Sequence, residues 1–269
     1  MIELTIDGVP VEVAEGTTLF DAAREAGIEI PALCHDPRLD PAGVCRLCSV
    51  DIGERTLVAA CVRPCEAGME VKTVTPEIET HRRKLVDLLM ADQPGPENDP
   101  RESTLGDNAL LALARRYDAW GQDLPGAPGR RPADSSSPVI AVDHAACILC
   151  DRCIRACNDI QGNDVIGRTG KGHAARIGFD LDTGMGESSC VSCGECAAAC
   201  PTGALVDRPI ALPLRPAAEL DRVDTVCPYC GVGCALTYHV DRAENKIVFA
   251  EGRASPGNQE RLCVKGRYG

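Results

Sequence analysis

Residues 147–157 read CILCDRCIRAC, and residues 190–201 read CVSCGECAAACP. Each is Cys-x2-Cys-x2-Cys-x3-Cys, one run written twice. Three cysteines so close in one loop can surround a compact metal–sulfur core. This spacing is that of four-iron, four-sulfur sites, and in paired runs the fourth cysteine ligates the other cluster. The turn-then-helix shape of each run aims its last cysteine away from its own loop. The runs therefore predict one 4Fe-4S site from Cys147, Cys150, Cys153 and Cys200. They predict a second from Cys190, Cys193, Cys196 and Cys157. A thioredoxin-like reading fails, because neither run holds a single redox pair in a βαβ context.

Two further sets lie outward of the doubled run. Cys34-x10-Cys45-x2-Cys48-x12-Cys61 is close to a plant-type 2Fe-2S pattern with a longer first loop. Cys227-x2-Cys230-x3-Cys234-x28-Cys263 predicts a third 4Fe-4S site. Sixteen of the 17 cysteines are then assigned, and Cys65 alone is left over. Two Cys pairs in the first set could also hold zinc. The strands and helix expected just before that set favour the iron reading.

Those elements are legible in the sequence. Residues 2–6 and 9–13 alternate apolar and polar around Asp7-Gly8, a hairpin signal. Thr18 stands three residues before Asp21 and Gly27 closes the segment, so residues 19–26 are expected to be helical. Strand, strand, helix, cysteine loop is the order of a β-grasp ferredoxin. Residues 81–91 place Leu85, Leu88 and Leu89 at helical spacing. From Asp92 to Pro138, seven prolines and a serine run mark linking chain, with a helix expected from Asn108 to Trp120. Residues 210–216 read as a second linker. Strands are expected at Leu236 to Val240 and Lys246 to Phe249.

The expected class is α+β, in four parts. A β-grasp 2Fe-2S ferredoxin-like domain spans 1–80, and a helix with a Pro/Gly-rich linker spans 81–138. A two-cluster 4Fe-4S domain spans 139–209, and a small β-rich 4Fe-4S domain spans 217–269. Aromatic residues are only 3%, so these small cores would draw folding energy from bound metal. A net charge of −12 argues against nucleic-acid binding. No basic-then-apolar leader opens the chain, and no apolar stretch reaches membrane-spanning length. The cysteines thus read as ligands in a cytoplasmic protein with no membrane insertion, not as a secreted disulfide framework.

The stretches CHDPRLDPAGVCRLCSVDIG (34–53) and AACVRPCEAGMEVKT (59–73) resemble an N-terminal domain shared by three groups. These are the large subunit of NAD-linked molybdenum or tungsten formate dehydrogenases, the G-type subunit of NADH–quinone oxidoreductase, and some iron-only hydrogenases. CPYCGVGC (227–234) with RLCVKG (261–266) resembles the 4Fe-4S motif that opens the catalytic region of molybdopterin-guanine-dinucleotide oxidoreductases. The resemblance implies that Lys265 lies between this cluster and the pterin. The molybdenum or tungsten pterin itself would sit in a region beyond Gly269, so the chain is expected to be a fragment or a split subunit.

In these relatives a helix like 81–91 leads into a His-x3-Cys-x2-Cys-x5-Cys site. Here Gln93, Glu97 and Pro100 stand at the first three ligand positions, and Gly106 or Asn108 at the fourth. That cluster is therefore expected to be absent. The complete doubled run and the pterin-type motif favour the formate dehydrogenase group. The whole enzyme would oxidise formate and pass electrons to NAD-reducing flavin/iron–sulfur subunits. The alternatives are the G-type subunit and a stand-alone polyferredoxin carrier.

Overall fold

The computed structural model describes residues 1–125, 132–211 and 216–269. The expected linkers fall partly on 126–131 and 212–215, which lie outside the described residues. The chain forms two compact units. One comprises Met1–Ala91 with Ala112–Gly126, the other Asp92–Leu111 with Ala127–Gly269.

The first unit begins with β1 (Ile2–Ile6) and β2 (Val9–Val13), an antiparallel hairpin with Ile6 opposite Val9. Asp7 and Gly8 both have positive φ, 49° and 81°. This matches the two-residue turn whose twist suits a hairpin, and it explains Gly at the second position. Leu4, Ile6 and Val13 point into the core. Helix α1 (Leu19–Glu25) is capped by Thr18, whose hydroxyl accepts from Asp21 N–H at 3.1 Å. Leu19, Ala22 and Ala23 are its buried face. β3 (Ser49–Val50) pairs with β4 (Val58–Ala59), and β5 (Glu70–Val71) adds parallel to β1. The sheet order is β2-β1-β5.

Helix α2 (Pro76–Met90) starts earlier than leucine spacing predicts. Thr75 caps it, and Pro76 sits where a missing N–H costs nothing. The buried stripe is Ile78, Arg82, Val86 and Met90, each one turn further along. Leu88, expected on the apolar face, is exposed.

In the second unit, residues 92–111 are more regular than a linker. Asp99 caps α3 (Pro100–Leu105), accepting from Glu102 N–H at 2.9 Å. Gly106 closes it in the left-handed conformation at φ 69°. Proline in this stretch begins a helix instead of breaking one. Asn108 heads α4 (Ala109–Tyr117), its Oδ1 accepting from Leu110 and Leu111 N–H. Asn108 also donates to buried Asp99 at 2.7 Å. These polar groups, with Glu102 accepting from Asn108 N–H, occupy the place of the degenerate ligand pattern.

The doubled run lies between β7 (Ile140–Asp143) and β10 (Leu205–Asp207), which pair antiparallel; β6 (Ala133–Asp134) flanks β7. Within it are α5 (Arg152–Arg155), the hairpin of β8 (Ile166–Thr169) and β9 (Arg176–Phe179), and α6 (Glu195–Ala199). Helix α7 (Arg208–Ala211) comes next. The chain then forms the antiparallel sheet β11 (Asp221–Val226), β12 (Ala235–Asp241) and β13 (Lys246–Gly252), and ends in α8 (Val264–Tyr268). Among the described residues, no helix is long and apolar enough to cross a membrane.

Candidate iron–sulfur sites

In the first unit, Cys34, Cys45 and Cys48 lie on the loop between α1 and β3, and Cys61 on the turn after β4. Cys48 and Cys61 sulfurs are 3.4 Å apart. Main-chain N–H groups point at sulfur: Leu33 to Cys45 at 3.4 Å, and Cys45 to Cys34 at 3.5 Å. Hydrogen bonds from the Cys45 and Cys61 thiols hold Cys34 well below the usual thiol range. Their partners move the other way, Cys61 upward through its bonds to Cys34 and Cys48. The four sulfurs thus form one tightly interacting group. Gly43, at φ 63°, sits in the loop with its Cα side against Val62. Cys65 is buried in the hydrophobic core, and burial raises its thiol pKa. Its N–H bonds the Thr17 carbonyl.

The paired runs share one backbone. Leu149 and Asp151 in the first run have φ 54° and 61°; Ser192 and Gly194 in the second have 55° and 79°. These positions correspond one to one, two and four residues after each opening cysteine. Left-handed backbone is costly for leucine, and here it re-aims the chain so that N–H groups face sulfur. Ser192 N–H points at Cys190 sulfur at 3.4 Å. Arg152 N–H serves Cys150, and Glu195 N–H serves Cys193.

One small cavity is lined by Cys147, Cys150, Cys153 and Cys200, and walled by Ile177 and Leu205. The last cysteine of the second run is thus gathered with the first three of the first. Burial, aided by the Cys200 charge, pushes the Cys150 thiol up to about 12. The complementary group is also mutually close. Burial raises Cys196, with Cys193, Cys190 and Cys157 adding charge repulsion. Cys193 likewise feels Cys190 and Cys157. Such crowding disfavours bare thiolates, and a bound metal relieves it by its own charge. The donor sets therefore fit iron–sulfur clusters.

The third set is more open. Cys227 is buried, Cys234 half-buried, and Cys230 and Cys263 exposed. Cys227 N–H bonds the Cys234 carbonyl at 2.8 Å, closing the CPYCGVGC loop. Burial and then the charges of Cys227, Cys230 and Cys263 raise Cys234. Gly266 lies against the Cys227 sulfur. Lys265 is exposed on α8, whereas Gly266 and Arg267 form its buried face. Among the described residues, no three His, Cys, Asp or Glu side chains converge closely enough for a single metal ion.

Two buried arginines escape a reading of the sequence. Arg82 grips the loop around Cys48, donating to the carbonyls of Leu47 and Ser49. Its signal is a charge within the 78/82/86/90 spacing. Arg267 reaches the second run across 74 positions, a contact no local pattern encodes.

Residues 1–76 match the family model of a 2Fe-2S iron-sulfur cluster binding domain. Residues 137–206 match the ferredoxin-like domain of NADH-quinone oxidoreductase subunit 3. Residues 220–269 match the molybdopterin oxidoreductase Fe4S4 domain. The chain is 37% identical, over its whole length, to a G-type NADH-quinone oxidoreductase subunit of Rhizobium meliloti, of which it spans 31%. A putative formate dehydrogenase of Staphylococcus haemolyticus is more distant, 27% identical over 98% of this chain and 30% of its own. Among solved structures, a chain of an NAD+-reducing [NiFe]-hydrogenase in the H2-reduced state superposes with TM-score 0.72 and 27% identity. It covers 82% of this chain and 97% of its own. The chain thus carries iron–sulfur domains similar to those of multi-subunit oxidoreductases, and spans about a third of the curated relatives it matches.

Proposed function

We propose that the chain is an electron-transfer segment of a larger NAD-linked oxidoreductase. One 2Fe-2S cluster is held by Cys34, Cys45, Cys48 and Cys61. Three 4Fe-4S clusters are held by Cys147/150/153/200, by Cys157/190/193/196 and by Cys227/230/234/263. When bound, these groups supply reversible one-electron storage. The chain supplies thiolate ligands, N–H donors that favour the reduced state, and apolar walls that exclude water.

The observation that carries this reading is the sulfur grouping across the two runs, with Cys200 in the cavity of Cys147, Cys150 and Cys153. The test is iron and acid-labile sulfide content after anaerobic purification. The expected content is about 14 iron per chain. Protein that binds no iron while folded would sink the proposal.

For the whole protein, two readings differ in the region C-terminal to this segment. The pterin-type match at 220–269 and the CPYCGVGC motif favour a formate-oxidising enzyme. Its pterin metal site would lie beyond Gly269, with Lys265 facing it and cytoplasmic NAD-reducing flavin/iron–sulfur subunits as partners. The higher identity to a G-type relative favours a place in an NADH–quinone oxidoreductase. Formate-dependent dye reduction by the full-length protein, together with its molybdenum or tungsten content, separates the two.

A further inference from the structure

Arg267 makes two hydrogen bonds that together link two different cysteine sets. Its main-chain N–H donates to the carbonyl of Cys263 at 3.1 Å. Its side-chain Nε donates to the carbonyl of Cys193 at 3.0 Å. Cys263 belongs to the third 4Fe-4S set and Cys193 to the second run. The guanidinium is almost wholly buried, its side chain 5% exposed, and pairs through Nη2 with Glu195 Oε1 at 2.9 Å. Glu195, 1% exposed, lies between Cys193 and Cys196 in sequence and also accepts from Leu262 N–H, one residue before Cys263.

The site is built around this pair. Tyr268 donates to buried Asp207, anchoring the next residue of α8 to β10. A side chain at Gly194 would overlap the Arg267 and Tyr268 side chains, so glycine admits α8 at this point. A buried ion pair is a poor source of stability, since a well-packed apolar pair often does as well. Its charge, in contrast, is felt strongly where water is excluded. A cation beside a cluster stabilises its reduced form, which carries one more negative charge. An anion does the reverse.

We propose that Arg267 is a positioning residue joining the Cys157/190/193/196 and Cys227/230/234/263 sites, and that with Glu195 it sets the reduction potential of the former. Arg267 raises that potential and Glu195 lowers it. The inference rests on the cluster assignment proposed above.

The test is an EPR-monitored redox titration of the full-length holoprotein. Cys193→Ala identifies the relevant signal by its loss. In Arg267→Met that midpoint moves to more negative potential, and in Glu195→Gln to more positive potential. Arg267→Lys, which keeps the charge, stays nearer the parent, and iron content is unchanged throughout. Shifts in the same direction, or none, in variants that keep their iron would overturn the inference. Should Arg267→Met lose iron, Glu195→Gln decides alone, and an unmoved midpoint there counts against the inference. Failure of the cluster assignment is separate: it would appear as parent protein without iron, or as Cys193→Ala with every signal intact.

Discussion

Arg82 donates from Nε to the carbonyl of Leu47 at 3.1 Å, one residue before the ligand candidate Cys48. Its Nη2 donates to the carbonyl of Ser49 at 3.2 Å, one residue after. The guanidinium is buried and pairs with Glu79 at 3.0 Å. A charged side chain from α2 therefore holds both shoulders of a cysteine loop. Arg82→Ala strands two buried carbonyls and leaves a void. It should cost on the order of 3 kcal/mol, because charged hydrogen bonds and unsatisfied carbonyls each carry about 1–3 kcal/mol. Denaturant unfolding of the holoprotein measures this. The 2Fe-2S signal should also be lost at lower denaturant than the 4Fe-4S signals.

Cys157 belongs to the first run by sequence, yet its charge is felt by Cys193 and Cys196 of the second. Cys157→Ala should therefore damage the cluster of Cys190, Cys193 and Cys196 and spare that of Cys147. EPR of the reduced variant distinguishes the two signals. Selective loss of the Cys147 cluster would overturn the crossed assignment.

Ser192 and Gly194 share left-handed backbone but differ in what surrounds them. At Ser192, φ is 55° and a glycine relieves strain of about 1 kcal/mol. Ser192→Gly should thus hold or raise stability. Gly194→Ala should lower it, because its methyl group would meet Arg267 and Tyr268. Thermal unfolding should show a lower midpoint for Gly194→Ala and no lower midpoint for Ser192→Gly.

Glu251 and His239 face each other across β12 and β13, with Nε2 and Oε2 2.8 Å apart. The hydrogen bond to His239 holds the Glu251 carboxyl below its ordinary 4.5. A depressed folded pKa contributes stability above the unfolded value, and that stability is lost as pH falls through the folded one. The contribution should therefore be present above about pH 4.5 and fade below it. In His239→Gln the acid limb of a stability–pH curve should become shallower. An unchanged limb would show that the pair contributes nothing.

Features that depend on local spacing are legible in the residues alone. The Asp7-Gly8 turn, the Thr18 cap and the close cysteine spacings within each run arise from residues a few positions apart, which steric geometry restricts strongly. Residues 92–111 mislead, because Pro100 reads as a breaker until Asp99 is seen capping the helix it starts. Leu88 is misplaced on a face that Arg82 and Val86 occupy, because helical spacing alone does not say where the helix begins. The doubled spacing already groups Cys200 with Cys147, Cys150 and Cys153, but the Ile177 and Leu205 walls of their cavity are visible only in three dimensions. The same holds for Arg82 at the shoulders of Cys48 and for Arg267 against Cys193. Those contacts join segments tens of residues apart, and burial makes a charged side chain's partner obligatory without naming it in the local sequence.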